Sequence, residues 1–197
     1  MSQEVDQGRR RLLVTVTALT GAVGAVAAIT PFLASWKPSA RAKALGAPIE
    51  IDISKLEAGA MLRVEWRGKP VWVVRRTPEM LKQLDQAAPF LLDPESGGSV
   101  QPAYAKNRAR ALKPEYFVVL GVCTHLGCSP TAKFQAADVT VSADWPGGFY
   151  CPCHGSKFDL AGRVFKGVPA PANLTIPPYG FINDGRILVG SDGSQAA

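Results

Sequence analysis

The chain has 197 residues, enough for one domain of ordinary size plus an appendage. Its formal net charge of +6 at pH 7 suggests an anionic partner, but residues 1–44 carry six basic and two acidic side chains, whereas residues 45–197 carry sixteen and fourteen. The excess therefore flanks an apolar segment, as membrane-end charges do, and no basic patch interleaved with aromatics supports a nucleic-acid partner.

Residues 1–11 are polar and end in Gly8-Arg-Arg-Arg11; the next 23, Leu12 to Ala34, carry no charge. At a helical rise of about 1.5 Å per residue they span roughly 34 Å, enough to cross a bilayer with some tilt. A cleavable signal peptide is the competing reading, but the run exceeds a typical apolar signal core and no clear small-residue cleavage site follows it. The arginine run resembles a twin-arginine export signal. The expected layout is an N-terminal segment 1–11, an anchor 12–36, a linker 37–48 and a head 49–197. The linker, rich in alanine and small polar residues, is either extended or a loosely held helix.

From Ile49 the period becomes two. Ile49, Ile51 and Ile53 alternate with polar residues, as do Leu62, Val64 and Trp66. A turn at Gly68-Lys-Pro70 leads to Val71-Trp-Val-Val74, which predicts antiparallel strands. Pro78–Asp85 predicts a short helix with proline at its first position. Residues 86–114 show no sustained period and read as a long surface excursion. Tyr116–Val122, Val139–Val141, Phe149–Tyr150, Lys157–Asp159 and Arg163–Phe165 predict further strands. The stiff loop Gly167-Val-Pro169-Ala-Pro171 follows, then a hairpin turning at Asn183-Asp-Gly185 and a frayed tail at 191–197.

All four cysteines and both histidines lie between Cys123 and His154. Three readings compete. Structural zinc would use two cysteines and two histidines, but zinc knuckles pair like ligands, and here each loop supplies a mixed pair. Two disulfides would suit an exported domain but leave the matched histidines unexplained. A [2Fe–2S] cluster with two cysteines on one iron and two histidines on the other uses one Cys-His set from each loop.

Cys123-Thr-His-Leu-Gly-Cys128 and Cys151-Pro-Cys-His-Gly-Ser156 resemble the two boxes of the Rieske iron–sulfur proteins. With the anchor, the linker and the Gly-Val-Pro-Ala-Pro loop, the chain is similar to the bacterial Rieske subunits of the cytochrome bc1 complex. The resemblance implies an all-β head of antiparallel sheets with one short helix, a small cluster-binding subdomain at about 120–172, and a single N-terminal transmembrane helix. It implies one [2Fe–2S] cluster held by Cys123, His125, Cys151 and His154, and a disulfide between Cys128 and Cys153. His154 would contact ubiquinol and accept its proton. Cytochrome b and cytochrome c1 would be partners in a bacterial inner membrane, with the N-terminus cytoplasmic and the head periplasmic. Another exported oxidoreductase, such as arsenite oxidase, is the alternative assembly; soluble Rieske ferredoxins and oxygenases normally lack the extra cysteines and the span.

Ligation of this kind has a physical consequence. Two ferric ions, two sulfides and two thiolates sum to a neutral core, whereas four thiolates would leave it with two negative charges. An electron is therefore accepted more readily, toward the upper part of a range of roughly −150 to +300 mV. The resemblance also assigns tuning of the cluster to Ser156, Phe158, Leu126 and Gly155, and its cover to Gly167, Pro169 and Pro171. Many relatives carry a tyrosine where this chain has Phe158, so a lower potential is expected here.

Overall fold

The computed structural model describes residues 6–191, and the chain divides into two compact units, 1–44 and 45–197. Residues 1–5 of the expected N-terminal segment and 192–197 of the expected tail lie outside the described residues.

In the first unit, helix α1 runs over Gln7–Ser35. The Asp6 carboxylate caps it, accepting from the N–H groups of Gly8 and Arg9 at 2.9 and 3.2 Å. Thr20 and Thr30 donate their hydroxyls to the carbonyls of Val16 and Val26, which satisfies these polar groups within an apolar stretch. Every residue of α1 is exposed, and among the described residues it is the one helix long and apolar enough to cross a membrane. A short helix, α2 (Ala40–Gly46), follows it within the stretch 37–48.

The head is built from β1 (Ile49–Asp52), β2 (Met61–Trp66), β3 (Lys69–Arg75), α3 (Pro78–Ala87), β4 (Tyr116–Leu120), β5 (Thr131–Lys133), β6 (Gly148–Tyr150), β7 (Lys157–Phe158), β8 (Tyr179–Asn183) and β9 (Arg186–Val189). They form three antiparallel three-stranded sheets, ordered β1-β9-β8, β2-β3-β4 and β5-β6-β7. The unbroken apolar run Val71–Val74 is buried throughout and lies in the central strand of its sheet, as a run apolar on both faces requires. Trp72 of β3 stacks on Phe149 of β6 with centroids 5.3 Å apart, which joins the base of the head to the sheet that carries the ligand loops. Thr77 caps α3 through the N–H of Met80, and Met80, Leu84 and Ala87 face the core.

Three expectations are corrected. Val139–Val141 is a turn rather than a strand. The carbonyl of Asp138 accepts from Val141 and Ser142, its carboxylate accepts from the Thr140 N–H, and Val139 is 84 % exposed. A short polar cap outcompeted β-propensity there. The strand that pairs with β6 is Thr131–Lys133, which alternation did not reveal. The stretch 163–165 makes single bridges only, Val164 with Phe158 and Phe165 with Leu91.

The segment 86–114 is not a surface excursion, because Leu91, Ser96, Ala105, Ala109, Arg110 and Ala111 are buried. The Arg110 guanidinium donates to the carbonyls of Ala161, Gly162 and Leu174, and Arg76 donates to those of Ala109, Pro114 and Leu160. Arg163 pairs with Asp159 at 2.7 Å, both fully buried. Burial lowers Arg76 and Arg110 to about 10, so both stay charged at neutral pH. Three guanidiniums thus bind the carbonyls and the carboxylate of the 159–163 turn, just after the second ligand loop.

Arg110→Met is expected to destabilise the full chain by roughly 3 kcal/mol in denaturant unfolding, since it leaves the buried carbonyls of Ala161 and Leu174 without their donor and takes one of two donors from Gly162. Arg110→Lys should recover little, because an ammonium lacks the planar fork. A loss below about 1 kcal/mol for the Met variant would show that the turn does not depend on this side chain.

Candidate metal centre

The two ligand loops close in the same way. In the first, Cys123 N–H donates to the Cys128 carbonyl at 2.7 Å and Gly127 N–H to the Cys123 carbonyl at 3.0 Å. In the second, Cys151 N–H donates to the Ser156 carbonyl at 2.8 Å and Gly155 N–H to the Cys151 carbonyl at 2.9 Å. Gly127 and Gly155 occupy the matching left-handed position, with φ of 84° and 78°. A side chain would be strained there, which is why each box reads Cys-x-x-x-Gly. Gly127 was missed in the sequence; its spacing from Cys123, repeated by Gly155 from Cys151, is the signal that could have found it.

Cys128 and Cys153 are joined by a disulfide across the two loops. Cys123 and Cys151 are free and buried. Burial pushes the Cys123 thiol up, with the neighbouring Cys151 adding to the effect. Hydrogen bonding from the His125 backbone and the Ser156 side chain acts in the opposite direction. The imidazoles of His125 and His154 meet edge to face, centroids 4.8 Å apart; His125 is half-buried and His154 exposed.

The site therefore has a thiol end inside the head and an imidazole end at its surface. The sulfurs of Cys128, Cys151 and Cys153 also lie within 4.8 Å of one another, but two of these are spent in the disulfide. The remaining free donors, two buried thiols and two outward imidazoles, fit a [2Fe–2S] cluster with unlike ligands on its two irons.

The loop Gly167–Pro171 is tied to both ligand loops. Ala170 N–H donates to the Ser156 hydroxyl oxygen at 3.1 Å, and the Thr124 hydroxyl donates to the Ala172 carbonyl at 2.6 Å. Ala170 is buried while Gly167, Pro169 and Pro171 are exposed, and Leu126 stands 71 % exposed beside His125. Phe158 is fully buried in the core and offers no donor. Thr124 was a further omission from the sequence reading. Beside Gly155 opens a cleft of 780 Å³ lined by Trp145, Phe165, Lys157 and Lys166, and none of the six cysteines and histidines lines it.

An all-β head with paired Cys-His loops and a cross-loop disulfide defines an iron–sulfur protein of the Rieske class. Residues 49–179 match the model of the Rieske [2Fe-2S] domain, and residues 1–39 match one described as "Ubiquitinol-cytochrome C reductase Fe-S subunit TAT signal". The ubiquinol-cytochrome c reductase iron-sulfur subunit of Allochromatium vinosum is 58 % identical over 195 residues, covering 99 % of this chain and 94 % of that one. The corresponding subunit of Blastochloris viridis is 40 % identical over 190 residues, 96 % of this chain and 97 % of its own. The mitochondrial Rieske subunit of the Schizosaccharomyces pombe cytochrome b-c1 complex is 42 % identical over 177 residues, 89 % of this chain and 68 % of its own. The chain belongs to the family of ubiquinol–cytochrome c reductase iron–sulfur subunits. Its apolar N-terminal helix and these relatives make it a membrane-anchored protein of a multi-subunit assembly.

Hydrogen bonds to cluster sulfur favour the reduced, more negative state. Ser156→Ala, which removes the hydroxyl at Cys123, is expected to lower the midpoint potential by about 60–130 mV in a redox titration, the equivalent of one hydrogen bond to a charged group. Phe158→Tyr, which offers a donor where this chain has none, should raise it. An unchanged potential in the first variant, or an unchanged or lower one in the second, would remove these side chains from the tuning of the site.

Proposed function

We propose that this chain is the electron-transfer subunit of a bc1 complex, taking an electron from ubiquinol at cytochrome b and delivering it to cytochrome c1. The observation that carries the reading is the polarity of the site: free thiols buried, imidazoles at the surface. Cys123, His125, Cys151 and His154 would hold the cluster, and the cluster supplies one-electron chemistry when bound. His154, exposed at the outer end, holds a ring nitrogen where it can accept the proton of a quinol hydroxyl. His125 forms the other wall of that contact. Leu126 and Pro169–Pro171 give it an apolar rim that excludes water, and Ser156 steadies the negative charge on the Cys123 sulfur.

The anchor is assigned to residues 12–36, which lie largely within α1, with the N-terminus cytoplasmic and the head on the periplasmic side of a bacterial inner membrane. The match of residues 1–39 to a twin-arginine signal supports that orientation, and so does the disulfide, which suits an oxidising compartment. A head that serves two partners needs slack in its tether, and the segment after the anchor supplies it.

Membranes solubilised in mild detergent should yield the chain together with b- and c-type haems, and ubiquinol, by reducing the cluster, should bring up its EPR signal. Several prolines placed in residues 37–45 should slow quinol–cytochrome c turnover and leave that signal intact. Purification without haem partners would contradict the assembly, and full turnover with a stiffened linker would contradict the moving head.

A further inference from the structure

The place where the linker enters the head is held by one corner of the β2-β3 hairpin. Trp66 and Lys69 pair across a two-residue turn whose central residues, Arg67 and Gly68, both have positive φ, 53° and 69°. Glycine and asparagine are the usual occupants of such turns. An arginine there carries a conformational cost that its local strands do not require. Its side chain shows what it does instead. The Arg67 guanidinium donates from Nε and Nη2 to the Gly46 carbonyl, at 3.3 and 3.2 Å, and lies 4.4 Å over the Trp66 ring. Trp66 Nε1 donates to the next carbonyl, Ala47, at 2.9 Å.

Gly46 is the last residue of α2, so its carbonyl is one of the acceptors a helix leaves unpaired at its negative end. The indole is held in turn: Trp66 is 7 % exposed, and a Cβ on Gly190 would come within 2.9 Å of its Nε1 and 3.0 Å of the Pro48 Cα. Two consecutive carbonyls of the incoming chain are thus bound by two consecutive side chains of the head, with the indole fixed by the end of β9.

We infer that Trp66 and Arg67 form a clamp that sets where the tether ends, so that the segment free to move is residues 37–45 rather than 37–48. They act as positioning residues for electron delivery, far in sequence from the cluster loops. The inference rests on the moving-head reading for its consequence, though not for the clamp itself. Opening the clamp releases the end of α2 and lengthens the free segment from nine residues to twelve, which, for the unwound segment, dilutes the head around its docking points about 1.5-fold.

The test uses the purified complex carrying Trp66→Phe together with Arg67→Met. Phenylalanine keeps a ring without the N–H donor. Methionine keeps an alkyl chain at the same positive φ without the charge. Hydrogen exchange, read by mass spectrometry on the peptide covering residues 43–47, should quicken about fivefold or more with two hydrogen-bonding groups gone. Turnover should fall about 1.5-fold while the EPR signal and midpoint potential stay as in the wild type. Arg67→Lys, which restores a cation near Gly46, should regain part of both losses. Wild-type exchange in residues 43–47 would overturn the clamp. Faster exchange with undiminished turnover would overturn its role in setting the tether. Neither result is the failure of the moving-head reading, which the proline-stiffened linker measures with the clamp intact.

Discussion

Two backbone rings of the same size hold the site, and most of the head serves to keep them face to face. Each ring is closed by a pair of N–H donors and turned by a glycine in the left-handed region. The rings alone would leave two exposed loops free to part. The Cys128–Cys153 disulfide joins them, and the Ser156–Ala170 and Thr124–Ala172 hydrogen bonds fasten both to the proline loop. Because each ring starts from a buried cysteine and carries its histidine toward the surface, the arrangement separates buried thiols from surface imidazoles.

The rings stand on a base that is unusual in its polarity. Trp72 against Phe149 supplies an apolar link of the ordinary kind. Beneath the second loop, however, the turn at 159–163 is held by Arg76, Arg110 and Arg163 around a single buried carboxylate, Asp159. Breaking one member leaves charge or carbonyls uncompensated, so such a network specifies one geometry at the cost of tolerance to change. It also explains why the chain devotes residues 86–114 to a segment with little regular structure: that segment delivers Arg110.

What could be read from the sequence follows from how local each signal is. The ligand boxes were legible because rare side chains at short spacing are constrained by the bonds they make, and the central strand Val71–Val74 because burial on both faces demands an unbroken apolar run. Pro78 at a first helical position, with apolar residues at 80, 81 and 84, announced α3. The failures involve competition or distance. Val139 and Val141 have strand propensity, but the carboxylate and carbonyl of Asp138 bind the following N–H groups first. Arg110 looked like a solvent-facing charge, because its partners at Ala161, Gly162 and Leu174 are more than fifty residues away. Gly127 was legible in principle, since Cys-x-x-x-Gly occurs in both boxes, yet the pattern gains meaning only once the two rings are seen to be alike.

The central claim is the unlike ligation, thiols inside and imidazoles outside. Pulsed EPR of the reduced complex, prepared with isotopically labelled histidine, tests it most directly. The account predicts strong coupling of the cluster spin to nitrogens of two histidines, and its reduction to one when either His125 or His154 is replaced in a variant that retains a cluster. Coupling to no histidine, or two couplings that persist after such a replacement, would contradict the assignment.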